Sequence, residues 1–511
     1  MKSNLKKVRA LAASILLSVT ATAPLQASTQ VITPPLSAEA DTWLSVSERV
    51  YGLSRIWERM GTFSPFISAL PETFDLNELY AQYLNKVIDA PDMATYYELL
   101  ARFVTHIGDG KSFVSLPQAY RLAYVFPWIA QYIGAELTVV AVDSEFSELS
   151  VGDVIHSINN LPALEFLENY FGAVTNTQAP IVRQNDMAMN LSVGPRQLVL
   201  DVQAVTPTGE SLVETVTLLP LDETVMVAMG QLEATLADFL WPVPDHAVPL
   251  AQGAFATYLG QGIHQIGIRT FANPELPPAV VAYIAEVADS ATGFVLDLRL
   301  NGGGAADVSI LSQFAPVESL GSVGGAYLRV FDAGPALIAQ QLLRAYQTGA
   351  QLPEGLWETQ IAGFSVLDGV DMLSHRFVRD LTQSGGVEGL DIWDSELLAE
   401  NSLGLFDIPV VILIDHTSAS AAESFVITAQ GVNNFTIMGT HTPGMAGDLL
   451  VFDLPGGGLF GLNVVKQVTE TGQTINNFGL APDIFVPMLI EDLLAGRDTQ
   501  LQAAIAHLLQ S

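Results

Sequence analysis

Hydrophobic and polar positions fall into three successive rhythms along this chain. From Trp43 to Met60, Leu76 to Ile88 and Met93 to Ile107, apolar residues recur at helical spacing. Breaks at Ser64-Pro65, Pro71 and Pro91 separate the three predicted helices. The pattern then becomes strand-like. Leu137–Val142, a turn-and-strand at Leu149–Asn160, Gln197–Val202 and Leu212–Leu219 read as strands, with a helix over Ala163–Phe171. From Ala254 strands and helices alternate. Ile263–Ile268 is a strand, Leu276–Ala288 a helix and Gly293–Asp297 a buried strand that enters a glycine loop. Ala305–Phe314 reads as a helix and Gly334–Asn401 as a less regular insertion. Val410–Ile414 is a β-branched strand followed by a helix over Ala419–Ala429. Phe435–Thr440, Leu449–Asp453 and Leu459–Val465 are further strands, and Thr499–Leu509 is a closing helix. The alternation predicts a mixed α/β core.

Composition narrows the class. The 511 residues are 49% hydrophobic, enough for several packed cores. Residues 1–27 have the form of a secretory signal peptide. Lys2, Lys6, Lys7 and Arg9 precede the apolar run Leu11–Val19, and Leu25-Gln-Ala27 is a cleavage site in competition with Ala21-Thr-Ala23. No later apolar run reaches the ~18 residues needed to span a bilayer, so an exported protein, periplasmic or secreted and without stable membrane insertion, is expected. With 21 basic and 54 acidic residues the formal charge is −33, and loss of the leader removes bases only. Such a chain repels nucleic acid and anionic lipid. Absence of cysteine excludes disulfides and thiolate chemistry, and the eight histidines form no His-Glu-x-x-His pattern. No metal or cofactor is expected.

Candidate chemistry concentrates where strands meet glycine or hydroxyl residues. The strand-to-helix corner Thr417-Ser-Ala-Ser-Ala-Ala-Glu423 puts Ser420 at a helix N-terminus, where free N–H groups favour developing negative charge. Ser420-Ala-Ala-Glu423 is equally a capping box. Asp297-Leu-Arg-Leu-Asn-Gly-Gly-Gly304 fits neither a dinucleotide fingerprint nor a P-loop, which leaves a backbone that approaches a ligand or another segment closely. Ile107-Gly-Asp-Gly-Lys-Ser112 is a tight turn with Lys111 at its tip.

The segment 119–221, with Gly152-Asp153 before its central strand, resembles a PDZ-like module, although no glycine-flanked carboxylate loop precedes Leu137. Four further motifs come in order: Asp297–Gly304, Thr417–Glu423, Gly439-Thr-His-Thr-Pro-Gly444 and Gly479-Leu-Ala-Pro-Asp483. Together they resemble the C-terminal processing peptidases and the related tricorn-core serine peptidases. The resemblance implies a peptidase core of the ClpP/crotonase-like type over 222–511. Ahead of it would stand a helical subdomain over 28–118 and the PDZ-like domain. It implies Ser420 as nucleophile, acting on a peptide or protein substrate, with an oxyanion hole from Ala421 and Gly303, and Gly304 beside them. The base positions depart from the family. Met445 stands where one branch has its lysine. Lys111 stands where the other has a histidine, and Asn476 or Asn477 where that branch has a glutamate.

A Ser420–Lys111 dyad is therefore expected, with His441 as the alternative base and His416 and His106 behind it. An ordinary lysine is only ~0.04% neutral at pH 7, so this role requires local burial to lower its pKa. The alternative function is a catalytically inactive relative that binds peptides or ligands.

Overall fold

A computed structural model describes residues 43–117, 120, 124–195, 197–220, 239–304, 308–320, 325–328, 395–468 and 474–510. The expected signal peptide and most of the insertion at Gly334–Asn401 lie outside them. The described chain is a mixed α/β protein.

Its organising layer is a seven-stranded sheet. The strands are β7 (Val248–Ala251), β8 (Ala254–Gly260), β9 (Ile263–Ile268), β10 (Gly293–Asp297), β11 (Val410–Ile414), β12 (Phe435–Gly439) and β15 (Ile484–Phe485), paired in that order. From β9 to β15 every pairing is parallel. Strands buried on both faces read as continuous apolar runs, and all five residues of β10 and of β11 are buried. Phe294, Leu296, Ile412 and Ile414 pack with α6 (Leu276–Val287) and α7 (Ala421–Ala429) on one face. Val295, Val411 and Leu413 pack with Ala504 and Leu508 of α8 (Thr499–Leu508) on the other.

Ahead of this sheet, α1 (Val46–Phe63), α2 (Leu76–Ile88) and α3 (Met93–Thr105) form a helical group, each begun by a Ser or Asp side-chain cap. Their apolar faces pack on Leu450, Phe460 and Leu462 of the hairpin β13 (Leu449–Asp453) and β14 (Leu459–Asn463). The short strand β1 (Phe113–Ser115) pairs with β14, Phe113 opposite Gly461. This pairing ties the turn that carries Lys111 to the distant end of the chain.

A second sheet of six strands lies between. Its path is β2 (Trp128–Ile133), β3 (Glu136–Val142), β4 (Val154–Ile158), β5 (Val199–Val205) and β6 (Ser211–Thr217), with Leu161–Pro162 paired to β4. Helices α4 (Ala163–Phe171) and α5 (Pro180–Ser192) accompany it. At the sheet edge the Tyr132 N–H of β2 donates to Asn185 Oδ1 of α5 at 2.8 Å.

The helix expected over Ala305–Phe314 is different. Its described part is a turn and the three-residue 3₁₀ segment Leu311–Gln313, with every side chain of that segment buried. Burial all round suits a packed turn rather than an amphipathic helix.

Candidate active site

Strands β10 and β11 pair parallel with Asp297 opposite Leu413, so both carboxyl ends open on the same side. Loops at the carboxyl ends of parallel strands are where α/β sheets place ligands. Here they brace one another. Ala419 N–H donates to Asn301 O at 2.8 Å, Leu300 N–H to Thr417 Oγ1 at 2.7 Å, and Ser418 Oγ–H to Leu298 O at 3.0 Å. Below the loop, Asp297 and Arg299 form a buried ion pair at 2.8 Å, and Arg299 reaches Asp498 at 2.7 Å. Burial opposes the Asp297 charge, but Arg269 and Arg299 outweigh it and hold the carboxyl well below the usual range.

Ser420 sits at the corner with φ 55° and ψ −114°. A non-glycine residue in that region stores of order 1–3 kcal/mol of strain and lifts its side chain out of the corner, as in a nucleophile elbow. The glycine loop lies against it. A Cβ on Gly303, whose φ is +109°, would stand 2.7 Å from Ser420 Cβ and 3.1 Å from Ala421 N. Only glycine fits this approach.

Lys111 arrives from the helical group. Its Nζ lies 3.0 Å from Ser420 Oγ and also donates to Gly447 O. The turn is held from several sides. Asp109 accepts from the Ser112 N–H at 2.8 Å, Ser112 Oγ at 2.6 Å and Asn463 Nδ2 at 3.0 Å. Asn463 N–H donates to Ser112 Oγ at 2.9 Å, and Asn477 Nδ2 donates to Gly108 O. Lys111 is 8% exposed. Burial lowers its pKa, against the opposing pull of Asp448, Glu423 and Asp109. The site therefore supplies the local desolvation a lysine base requires.

Glu423 completes the arrangement. It is fully buried. Its Oε2 accepts from Ser420 N–H at 3.1 Å, and its Oε1 from Thr442 Oγ1 at 2.6 Å and Gly444 N–H at 2.8 Å. Burial pushes its carboxyl up to about 7, although all three donors and Lys111 favour the charge. The capping box is thus present, and the same serine faces Lys111.

The other sequence candidates lie elsewhere or in other roles. His441 packs its ring against Phe485 at 6.4 Å. His416 lies 6.4 Å from the Trp241 ring. His106 Nε2 meets Tyr83 OH at 3.2 Å. No hydrogen bond among the described residues joins any of the three to Ser420. Met445 is half-buried on the 440–447 loop. Asn476 accepts from Gln467 N–H at 2.7 Å and donates to Ala446 O at 2.7 Å. Gly303 departs from its expected part, because its N–H donates to its neighbour Asn301 Oδ1 at 2.9 Å. The N–H groups of Gly304 and Ala421 have no acceptor among the described residues. Asn301 and Asn463 were given no role from the sequence, and Glu423 was read only as the capping-box partner of Ser420. Only Glu423 left a signal, its i+3 spacing from Ser420.

Residues 263–486 match the family model described as Peptidase family S41. The segment is similar to S41 serine-type peptidases, and it makes up less than half of the chain. Over 148 residues the chain is 29% identical to a carboxyl-terminal-processing protease of Picosynechococcus sp., an alignment that covers 25% of this chain and 36% of that protein. The match thus spans about a third of that relative's length. Among solved structures, mature CPAF superposes with a TM-score of 0.65 at 16% identity, over 91% of this chain and 98% of that one. Mature CPAF complexed with lactacystin gives 0.61 at 16% identity, over 91% and 97%. These two likenesses establish a shared fold. Ser420, Ala421, Glu423, the glycine loop and His441 all fall inside the S41 segment, whereas Lys111 lies outside it.

Proposed function

We propose that this chain is an exported serine peptidase that cleaves peptide or protein substrates through a Ser420–Lys111 dyad. One observation carries the reading: a buried lysine amine 3.0 Å from the hydroxyl of a serine on a strained strand-to-helix corner. Neutral Lys111 Nζ accepts the Ser420 Oγ proton as Oγ attacks the scissile carbonyl carbon. The carbonyl electron pair moves to oxygen. Ala421 N–H receives the oxyanion, together with an N–H of the glycine loop. Gly304 is the better placed, since the Gly303 N–H is already donated to Asn301. Each such donor is typically worth about 3–4 kcal/mol. On collapse the C–N bond breaks, and the Lys111 ammonium returns its proton to the leaving amine. Water then attacks the acyl-enzyme with Lys111 again as base, which releases the acid and restores Ser420.

We assign 28–118 to a helical subdomain, 119–221 to a PDZ-like domain and 222–511 to a peptidase core of the ClpP/crotonase-like type. The leader-like residues 1–27 support export to the periplasm or beyond. Among the described residues no helix is long and apolar enough to cross a membrane. In the PDZ-like assignment β2 is the edge strand, and Asn185 already occupies its Tyr132 N–H.

The test is a fluorophosphonate probe on the folded full-length chain. Labelling confined to Ser420 and abolished by Ser420→Ala is the expected result. Absence of labelling returns the chain to the alternative, a binding protein built on a peptidase fold.

A further inference from the structure

The buried carboxylate of Glu423 joins three separate pieces of the site. It holds the Ser420 N–H on the nucleophile corner, and the Thr442 hydroxyl and Gly444 N–H on the loop that leads to Gly447. Gly447 O is in turn an acceptor for Lys111 Nζ. A carboxylate with no exposed surface needs such donors to be tolerated. Here the donors are the backbone of the nucleophile and the loop that carries the lysine's second acceptor.

We propose that Glu423 is a positioning residue for this dyad: it fixes the Ser420 corner against the 442–447 loop and supplies the buried negative charge opposite Lys111 when that lysine holds the serine proton. The inference rests on the Ser420–Lys111 reading. Among the described residues, the charges that act on Lys111 are those of Asp448, Glu423 and Asp109. Asp448 is solvent-exposed, where water screens it. Asp109 is committed to Ser112 and Asn463. Glu423 is the acid that contacts the nucleophile itself. With Glu423 ionised in the alkaline range, the Lys111 ammonium is stabilised there. Its removal makes Lys111 easier to deprotonate, so the working range of the base moves toward lower pH while the corner loses its brace.

The experiment measures the second-order rate of fluorophosphonate labelling from pH 6 to 11 for the wild type, Glu423→Gln and Thr442→Val, with a thermal midpoint for each. The wild type is expected to rise along an alkaline limb. E423Q is expected to label more slowly at its plateau, with the limb displaced by about one pH unit toward lower pH. T442V loses two hydrogen bonds, the one donated to Glu423 Oε1 and the one accepted from the Leu480 N–H, but no charge. It should lower the plateau and leave the limb in place. A limb that coincides in E423Q and wild type overturns the proposal, as does a T442V shift as large as that of E423Q.

Should E423Q not fold, the charge pair is read from its other side. 13C NMR of carboxyl-labelled glutamate follows Glu423 in the wild type and in Lys111→Met. Loss of the ammonium is expected to move the Glu423 midpoint upward, and an unmoved midpoint overturns the proposal. A wild type that fails to label, or a limb that survives in K111M, sinks the dyad itself and is distinguishable from failure of the Glu423 role.

Discussion

Replacement of Lys111 by methionine removes the amine and keeps most of the aliphatic stem. The side chain is 8% exposed, so the substitution is felt as chemistry and packing rather than as surface charge. Two hydrogen bonds are lost, to Ser420 Oγ at 3.0 Å and to Gly447 O. A carbonyl left without its donor costs roughly 1–3 kcal/mol. Against this, folding no longer has to bury an ammonium. Burial holds the Lys111 pKa below that of the unfolded chain, so the folded protein binds fewer protons. The contribution of this group to stability is then lowest at low pH. It rises with pH between the folded pKa and about 10.4. K111M lacks that dependence, so its stability relative to the wild type is greatest in acid and declines toward pH 10. Activity behaves otherwise. A general base is worth about 10²–10⁴ in rate, or about 3–5 kcal/mol at 1.36 kcal/mol per factor of ten. The assay pairs fluorophosphonate labelling at pH 8 with urea unfolding at two pH values. Labelling reduced by that factor in a folded K111M is the expected outcome. Undiminished labelling would refute the dyad, whatever the stability data show.

His441→Ala should leave labelling of Ser420 unchanged, because that ring packs on Phe485; loss of labelling there and not in K111M would reverse the assignment. Gly303→Ala forces a Cβ to within 2.7 Å of Ser420 Cβ at φ +109°. The loop must retreat from the oxyanion position, and labelling should drop about 10²–10³-fold, as measured beside a circular-dichroism spectrum that shows the fold retained. Asp498→Ala takes one of two buried carboxylates from the Arg299 guanidinium, which is 1% exposed, loses 2.9 and 2.7 Å bonds and keeps Asp297. Unfolding in urea should show a loss of about 3–5 kcal/mol. Glu423 titrates at about 7 when folded, against an ordinary 4.5. Its contribution is therefore fully present below about 4.5 and is lost as pH rises through about 7. In E423Q the dependence of stability on pH between those values should flatten, as read from urea midpoints.

Strands such as Val410–Ile414 and helices such as Ala163–Phe171 were legible because a single local pattern specifies them. Helix Pro180–Ser192 was not legible. Its buried set includes Asn185 beside Val182, Met187 and Leu191, so the apolar stripe is interrupted by a side chain recruited to the edge of β2. Trp128–Ile133 was missed for a related reason: its burial includes Gln131 and hides any alternation. At the site, Ser420 and the glycine loop could be read because a strand must end in unusual residues there. Lys111 could be named from its glycine turn, but its burial is a tertiary fact. Asn463 had no signature at all. It braces Asp109 across 354 positions, and no local spacing encodes a contact of that range.

The proposed dyad would set a lysine base within an acidic chain. With 54 acidic and 21 basic residues, the field of the whole protein favours the ammonium. That field is screened over about 10 Å at 0.1 M salt, whereas desolvation acts at the nitrogen itself. Local burial therefore prevails, but only while the site is closed. Closure depends on Phe113 pairing with Gly461, on Asp109 and Ser112 meeting Asn463, and on Asn477 reaching Gly108. Each of these joins the helical group to a segment some 350 residues away or more. With that turn undocked, Lys111 is an ordinary lysine, ~0.04% neutral at pH 7, and Ser420 has no base. On the proposed dyad, docking of the helical group and activation of the serine are thus one physical event.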